Sequence, residues 1–306
     1  MKKLVAIALS LALFAAILSG CGSSNTDTNN TTGTSGAANS TPALTGSITM
    51  DGSSALLPLA QTAATQFKSK NPDLSITVNG GGSGTGLNDV LAGTVDIGNS
   101  DVYANEKLEA GDAGKLVDHK VALIGVAPIV NADVAAKVKS LSTDQLKSIF
   151  SGKTKNWSAV GGPSEPITII NRPTSSGTRA LFQKWALGGQ TSVEGSTALQ
   201  TDDSNALLTT VASTKGSIGY VALSYLVNKN AQVKALQIDG VDATYDNIYN
   251  NTYQVWGYEH MYTNGAPKAN AKAFLDYMVS SEMAATAQSS GYGVIASLNA
   301  EAAASR

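Results

Sequence analysis

Apolar residues recur along this chain in two rhythms. At Leu56, Leu59, Ala60, Ala63, Ala64 and Phe67 they fall three and four apart, one face of a helix that ends at Lys68-Ser69-Lys70-Asn71-Pro72. At Leu74, Ile76 and Val78 they alternate, as in a strand with one buried face. Ser47-Ile48-Thr49-Met50 predicts a strand before that helix, and Thr94 to Ile97 a strand after a short helix around Leu87 to Leu91. The unbroken apolar run Val121 to Val130 suits a strand buried on both faces, and Ile167 to Ile170 a second, interrupted by Asn171-Arg172-Pro173. Ser142 with Gln145 three residues on forms a capping box for a helix reaching Ile149-Phe150. Further helices are predicted from Thr178, with Leu181, Phe182 and Trp185 on the apolar face, and around Ala271, Phe274, Leu275 and Met278. Strand-like and helix-like runs in alternation predict an α/β architecture, and no internal repeat interrupts it.

The first residues follow another pattern. Lys2-Lys3 precede an apolar stretch from Leu4 to Leu18, too short for the roughly 20 residues that cross a bilayer, and Leu18-Ser19-Gly20-Cys21 follows. Residues 1–20 read as a secretory signal. The four-residue motif resembles the bacterial lipobox, which implies lipidation of Cys21 and anchoring on a membrane. From Gly22 to Thr45, 18 of 24 residues are Gly, Ser, Thr or Asn. Too little apolar surface is available there to offset the entropy of ordering, so 21–45 is expected to be a flexible tether reaching about 25–30 Å. The folded part is expected to start near Gly46.

Composition then narrows the function classes. Among 306 residues, 42% are hydrophobic and 14% charged, as in a packed globular protein. The formal charge is −2, and loss of Lys2 and Lys3 with the leader takes it to −4. Without a basic field, nucleic-acid binding by counterion release is excluded. A single Cys rules out an internal disulfide, and His119 and His260 with it provide no zinc-ligand spacing. No metal or cofactor is expected. Chemistry must come from oxygen and nitrogen groups.

One arrangement recurs three times: an extended segment, a small-residue loop bearing hydroxyls, then a helix. The loops are Gly52-Ser53-Ser54-Ala55, Gly80 to Gly86, and Thr174-Ser175-Ser176-Gly177-Thr178. Each reads either as an ordinary cap or as an anion cradle, because helix N-termini present unpaired N–H groups and a partial positive charge. Arg172, shortly before the third loop, adds a planar fork suited to a tetrahedral oxyanion. Two apparent motifs fail on inspection. Ser151-Gly152-Lys153-Thr154 ends like a P-loop, but Lys147 stands where the motif needs Gly. Ser83 lacks the second Gly of a nucleophile elbow, position 85 being Thr.

Taken together, Gly52-Ser53-Ser54-Ala55-Leu56-Leu57-Pro58, Gly82-Ser83-Gly84, Asp96-Ile97-Gly98-Asn99-Ser100-Asp101, Ile149-Phe150-Ser151-Gly152-Lys153 with Asn156-Trp157, Arg172 with Ser176-Gly177-Thr178, and Ile218-Gly219-Tyr220-Val221 resemble the phosphate-binding proteins of bacterial phosphate ABC transporters. The resemblance runs in order from about residue 48 to the last helix. It implies the type II periplasmic-binding-protein fold, two α/β lobes joined by two hinge strands: 46–123 plus 257–306, and 124–256. It implies phosphate contacts at Ser53, Ser54 and Ala55, with the Leu56 backbone as a further candidate, and at Ser83, Asp101, Arg172, Ser176, Gly177 and Thr178. The implied partners are inorganic phosphate and the permease and ATPase subunits of the transporter; the receptor would be a lipid-anchored monomer without catalysis. Relatives often place an acidic partner for the Arg at Pro173-Thr174, which this chain lacks. Arg179, next to Thr178, is expected to turn to a neighbouring carboxylate or solvent.

A net-negative protein that binds an anion must rely on short-range directional donors in a desolvated cleft. Asp101 is then the informative residue. A carboxylate tolerates an anion only if it accepts a hydrogen bond from it; near neutral pH phosphate carries a proton and sulfate does not. Other oxyanions, a phosphatase-like enzyme and a surface adhesin or sensor remain as alternatives at this stage.

Overall fold

The computed structural model describes residues 43–192, 197–198 as backbone, 202–227 and 232–306. The leader, the lipobox with Cys21 and most of the predicted tether lie outside the described residues. The described residues form eleven strands: β1 Gly46–Gly52, β2 Leu74–Val78, β3 Ile97–Ser100, β4 Leu116–Asn131, β5 Ser140–Leu141, β6 Thr168–Asn171, β7 Thr197–Ala198, β8 Ser217–Ala222, β9 Val233–Ala235, β10 Gln237–Ile238 and β11 Trp256–Asn264.

The first half of the fold is built on β2-β1-β3-β11-β4, in which β11, the last strand of the chain, inserts antiparallel between β3 and β4. Ile48 and Met50 of β1 point into a core completed by Leu59, Ala63 and Phe67 of the Leu57–Lys70 helix and by Phe274 and Leu275 of the Ala269–Met278 helix. The Phe67 and Phe274 rings meet edge to face at 5.5 Å. Leu44 packs on this core and Asn270 donates to the Thr45 carbonyl, so residues just before Gly46 are also tied to the fold.

The second half uses the same long strand. β4 pairs with β11 as far as Gly125, then with β8 from Val126 and with β9 from Ile129. Parallel β8-β6-β7 completes the sheet. Its core holds Phe150, Trp157, Phe182 and Tyr220, with Phe182 and Tyr220 stacked at 4.5 Å. The chain returns to the first half through Tyr253 to Trp256, beside the outgoing crossing: Val126 N–H donates to the Val255 carbonyl at 2.9 Å. This is the two-lobed α/β fold that the sequence resemblance implied.

Two element boundaries differ from the sequence reading. The helix expected at Leu87 to Leu91 starts at Ser83, because Gly82, at φ 97°, turns the chain and Gly86 lets the first turn lie on β1. A Cβ at Gly86 would stand 2.5 Å from the Asp51 carbonyl oxygen. The strand expected at Thr94 to Ile97 is displaced to Ile97–Ser100, since Asp96 is spent tying the preceding turn to Thr49, accepting from its N–H at 3.0 Å and its hydroxyl at 3.1 Å. The capping box at Ser142 and Gln145 is present with both of its hydrogen bonds.

Candidate anion-binding site

All three hydroxyl-bearing loops converge where the two halves face each other. Ser53 closes the first loop: its Oγ accepts from the N–H groups of Ala55 and Leu56, both at 3.0 Å. Ser83 opens the Ser83–Ala92 helix, and its Oγ accepts from the Asp101 N–H at 2.9 Å. Ser176 caps the Gly177–Ala186 helix, its Oγ accepting from the Arg179 N–H at 3.2 Å. Ser53, Ser54, Ala55, Ser83, Asp101, Arg172, Ser176, Gly177 and Thr178 are all buried. Residues far apart in sequence therefore form one cluster.

The halves are in direct contact through these groups. Asp101 accepts from the Ser53 hydroxyl on Oδ1 and from the Thr178 hydroxyl on Oδ2, the latter at 2.7 Å. Arg172 Nη2 donates to Ser54 Oγ at 2.8 Å and Nη1 to Ser204 Oγ at 3.2 Å. Gly84 N–H donates to the Ser175 carbonyl at 2.9 Å, and Tyr225 donates to the Ser54 carbonyl at 2.6 Å. Gly177 has no room for a side chain: its Cβ would lie 2.1 Å from Ser83 Oγ and 2.9 Å from Asp101 Cβ. Closure at this point requires glycine.

Sequence reading missed four contributors. Asp202 forms a buried ion pair with Arg172, supplying from a distant loop the carboxylate absent at Pro173-Thr174. Burial raises the Asp202 carboxyl above the ordinary aspartate range; Arg172 opposes that rise and Asp101 adds to it. Ser204 bridges Arg172 and Ser54, the two hydroxyls lying 3.1 Å apart. Lys107 donates to the carbonyls of Thr174, at 2.7 Å, and Ser176, at 3.1 Å, and burial lowers its pKa while Asp202 and Asp101 raise it. Glu259 lies fully buried beside Asp101. None of the four falls in a motif; only the folded chain brings them to the loops.

Arg179, expected to face a carboxylate or solvent, is buried and donates to the Arg172 carbonyl at 2.5 Å, fixing the strand end that carries Arg172. The two histidines have structural surroundings: His260 Nδ1 lies 2.7 Å from Asp118, and His119 lies 3.3 Å from Thr263. Among the described residues, no group of three or more His, Cys, Asp or Glu could hold a metal ion.

Arg172 is paired with Asp202, and Lys107 and Arg179 donate to backbone carbonyls, so positive charge at the site is balanced or committed and directional bonds matter more than net charge. The cluster offers directional donors: several hydroxyls, helix-start N–H groups and Arg172, whose Nε is buried without a partner among the described residues. A two-lobed α/β fold closed over such a cluster defines a solute-binding protein that encloses its ligand between its halves. A family model described as the PBP superfamily domain matches residues 32–282. The "Phosphate-binding protein PstS" of Bacillus subtilis (strain 168) is 46% identical over 282 residues, 92% of this chain and 90% of that one. A phosphate-bound substrate-binding protein from Clostridium perfringens, assigned to phosphate ABC transport, superposes with a TM-score of 0.72 at 29% identity, covering 82% of this chain and 100% of that one. An ABC-type phosphate transport receptor from Vibrio cholerae gives 0.64 at 26% identity over 80% and 99%. The chain belongs to the phosphate-binding-protein family within the PBP superfamily.

Proposed function

We propose that this chain is an extracytoplasmic receptor that encloses inorganic phosphate between its halves and delivers it to the permease and ATPase subunits of an ABC transporter, without catalysis. The observation that carries this reading is the buried cluster of Asp101, Arg172, Ser53, Ser54, Ser83, Ser176 and Thr178, drawn from both halves. Arg172 and the loop donors would hold the oxygens that lack a proton. Asp101 would accept the hydrogen of the protonated oxygen, and a fully deprotonated sulfate would leave that acceptor facing another acceptor. Gly177 would bring its N–H to the ligand where a side chain has no space, and the Ala55 and Leu56 N–H groups, which donate to Ser53 Oγ here, would turn to it on binding.

In this reading the lobes are 46–123 plus 257–306 and 124–256, a division supported by the change of partner along β4 between Gly125 and Val126. Cys21, with Leu18-Ser19-Gly20 before it, would carry the lipid, and the tether would let a monomeric receptor reach the permease from the outer face of the membrane. Calorimetric titration of the anion-stripped chain from Ala43 onward tests the assignment. Tight one-to-one binding of phosphate with sulfate silent is expected. Failure to bind phosphate would overturn it.

A further inference from the structure

On β11, next to the proposed site, lies a carboxyl that phosphate binding as described leaves unused. Glu259 is fully buried, and neither of its oxygens meets a hydrogen-bond donor among the described residues. Strand alternation sends Tyr258, His260 and Tyr262 to one face, where successive ring centroids lie 6.1 and 5.6 Å apart and His260 turns to Asp118. Glu259 is sent to the other face, among Asp101, Tyr245 and Tyr292. Both phenols are committed elsewhere: Tyr245 donates to the Leu123 carbonyl at 3.2 Å, and Tyr292 donates to the Ala55 carbonyl at 2.5 Å.

The side chain within hydrogen-bond reach of Glu259 is Asp101. Two ionised carboxylates at that range offer only acceptors, and burial removes the solvent that would screen their repulsion. One proton between them turns the repulsion into a hydrogen bond. Asp101 already accepts from the Ser53 and Thr178 hydroxyls, whereas neither oxygen of the buried Glu259 meets a donor among the described residues, which assigns the proton to the glutamate; burial, with Asp101 adding to it, raises the Glu259 carboxyl in the same direction.

We propose that Glu259 is protonated and donates a hydrogen bond to Asp101, making it a positioning residue for the acceptor side of the anion site. The proposal rests on the reading of Asp101 as the acceptor for the ligand hydroxyl. A carboxylate offers about four lone-pair sites. Ser53 and Thr178 take two in this structure, Glu259 takes a third, and one is left for the ligand. Which member of the pair holds the proton decides selectivity. With the proton on Asp101 the site would present a donor and would admit sulfate; with it on Glu259, Asp101 stays an acceptor.

The purified full chain provides two independent readouts. Infrared difference spectra of wild type and Glu259→Gln at neutral pH should show a protonated-carboxyl band in the wild type alone; its absence from the wild type overturns the proposal without reference to any ligand. In phosphate and sulfate titrations across pH, Glu259→Leu should lose about tenfold or more in phosphate affinity and bind sulfate increasingly as pH falls, while Glu259→Gln, whose amide still donates, restores most of both. A Leu variant with wild-type affinity and pH profile overturns the proposal, as does a Gln variant that fails to rescue. A Leu variant that does not fold leaves the spectra and the Gln titration to decide. If the wild type binds no phosphate, the functional reading fails, while the infrared band still judges Glu259.

Discussion

Arg172 and Asp101 lie in one buried cluster, and single substitutions test the opposite duties proposed for them. Asp101→Asn replaces an acceptor by a group that also donates, so discrimination of phosphate over sulfate should fall by about 100-fold or more, measured by paired calorimetric titrations. Unchanged discrimination would remove Asp101 from the selectivity argument. Asp202→Asn leaves the Arg172 guanidinium without its carboxylate. The ligand-free chain should lose roughly 2–3 kcal/mol, and the thermal stabilisation brought by phosphate should grow, because the ligand then supplies the missing charge. The pH dependence has a definite sign. With its pKa raised in the fold, Asp202 binds a proton more tightly folded than unfolded. Between the ordinary aspartate value and the raised one, stability therefore falls as pH rises, and the Asn variant should lose that segment of the profile in denaturant unfolding followed across pH.

At the scale of elements, the Gly177–Ala186 helix shows what its first residue is for. Gly177→Ala favours the helix itself by about 0.5–1 kcal/mol, yet its methyl would stand 2.1 Å from Ser83 Oγ. The variant should keep its melting temperature and lose phosphate affinity by about 100-fold, since closure and folding are separate demands. Wild-type affinity in that variant would mean that the halves bind phosphate in some other arrangement. The helices and strands were legible wherever local pattern governs: the Ser142–Gln145 box, the alternation at Leu74 to Val78 and the buried run in β4 all formed where expected. β3 was misplaced because Asp96 serves a tertiary bond to Thr49, which no periodicity records. The three loops were legible because caps and anion cradles share one residue chemistry. Asp202 and Glu259 were not, because a lone carboxylate has no local signature and gains its role from what the fold sets beside it.

For the whole molecule, the contacts between halves describe a closed arrangement that can be trapped. A Cβ built at Gly84 lies 3.6 Å from the Ser175 Cβ, inside the range of about 3.5–4.5 Å that a disulfide spans. Gly84→Cys with Ser175→Cys, oxidised in the presence of labelled phosphate, should retain the label through gel filtration and release it on reduction. Equal release from both forms would separate this closed arrangement from the ligand-bound one.

The two chain crossings lie side by side, joined by the Val126 to Val255 hydrogen bond and by Tyr253 donating to the Val126 carbonyl at 2.8 Å. A paired ribbon resists bending within its own plane and yields to twist, so it confines opening to a narrow family of rotations. Opening is therefore expected to follow a single angle. A dye pair placed across the mouth should then report phosphate by one relaxation whose amplitude tracks occupancy, with no slower phase from wandering halves, and stopped-flow fluorescence would read that angle directly.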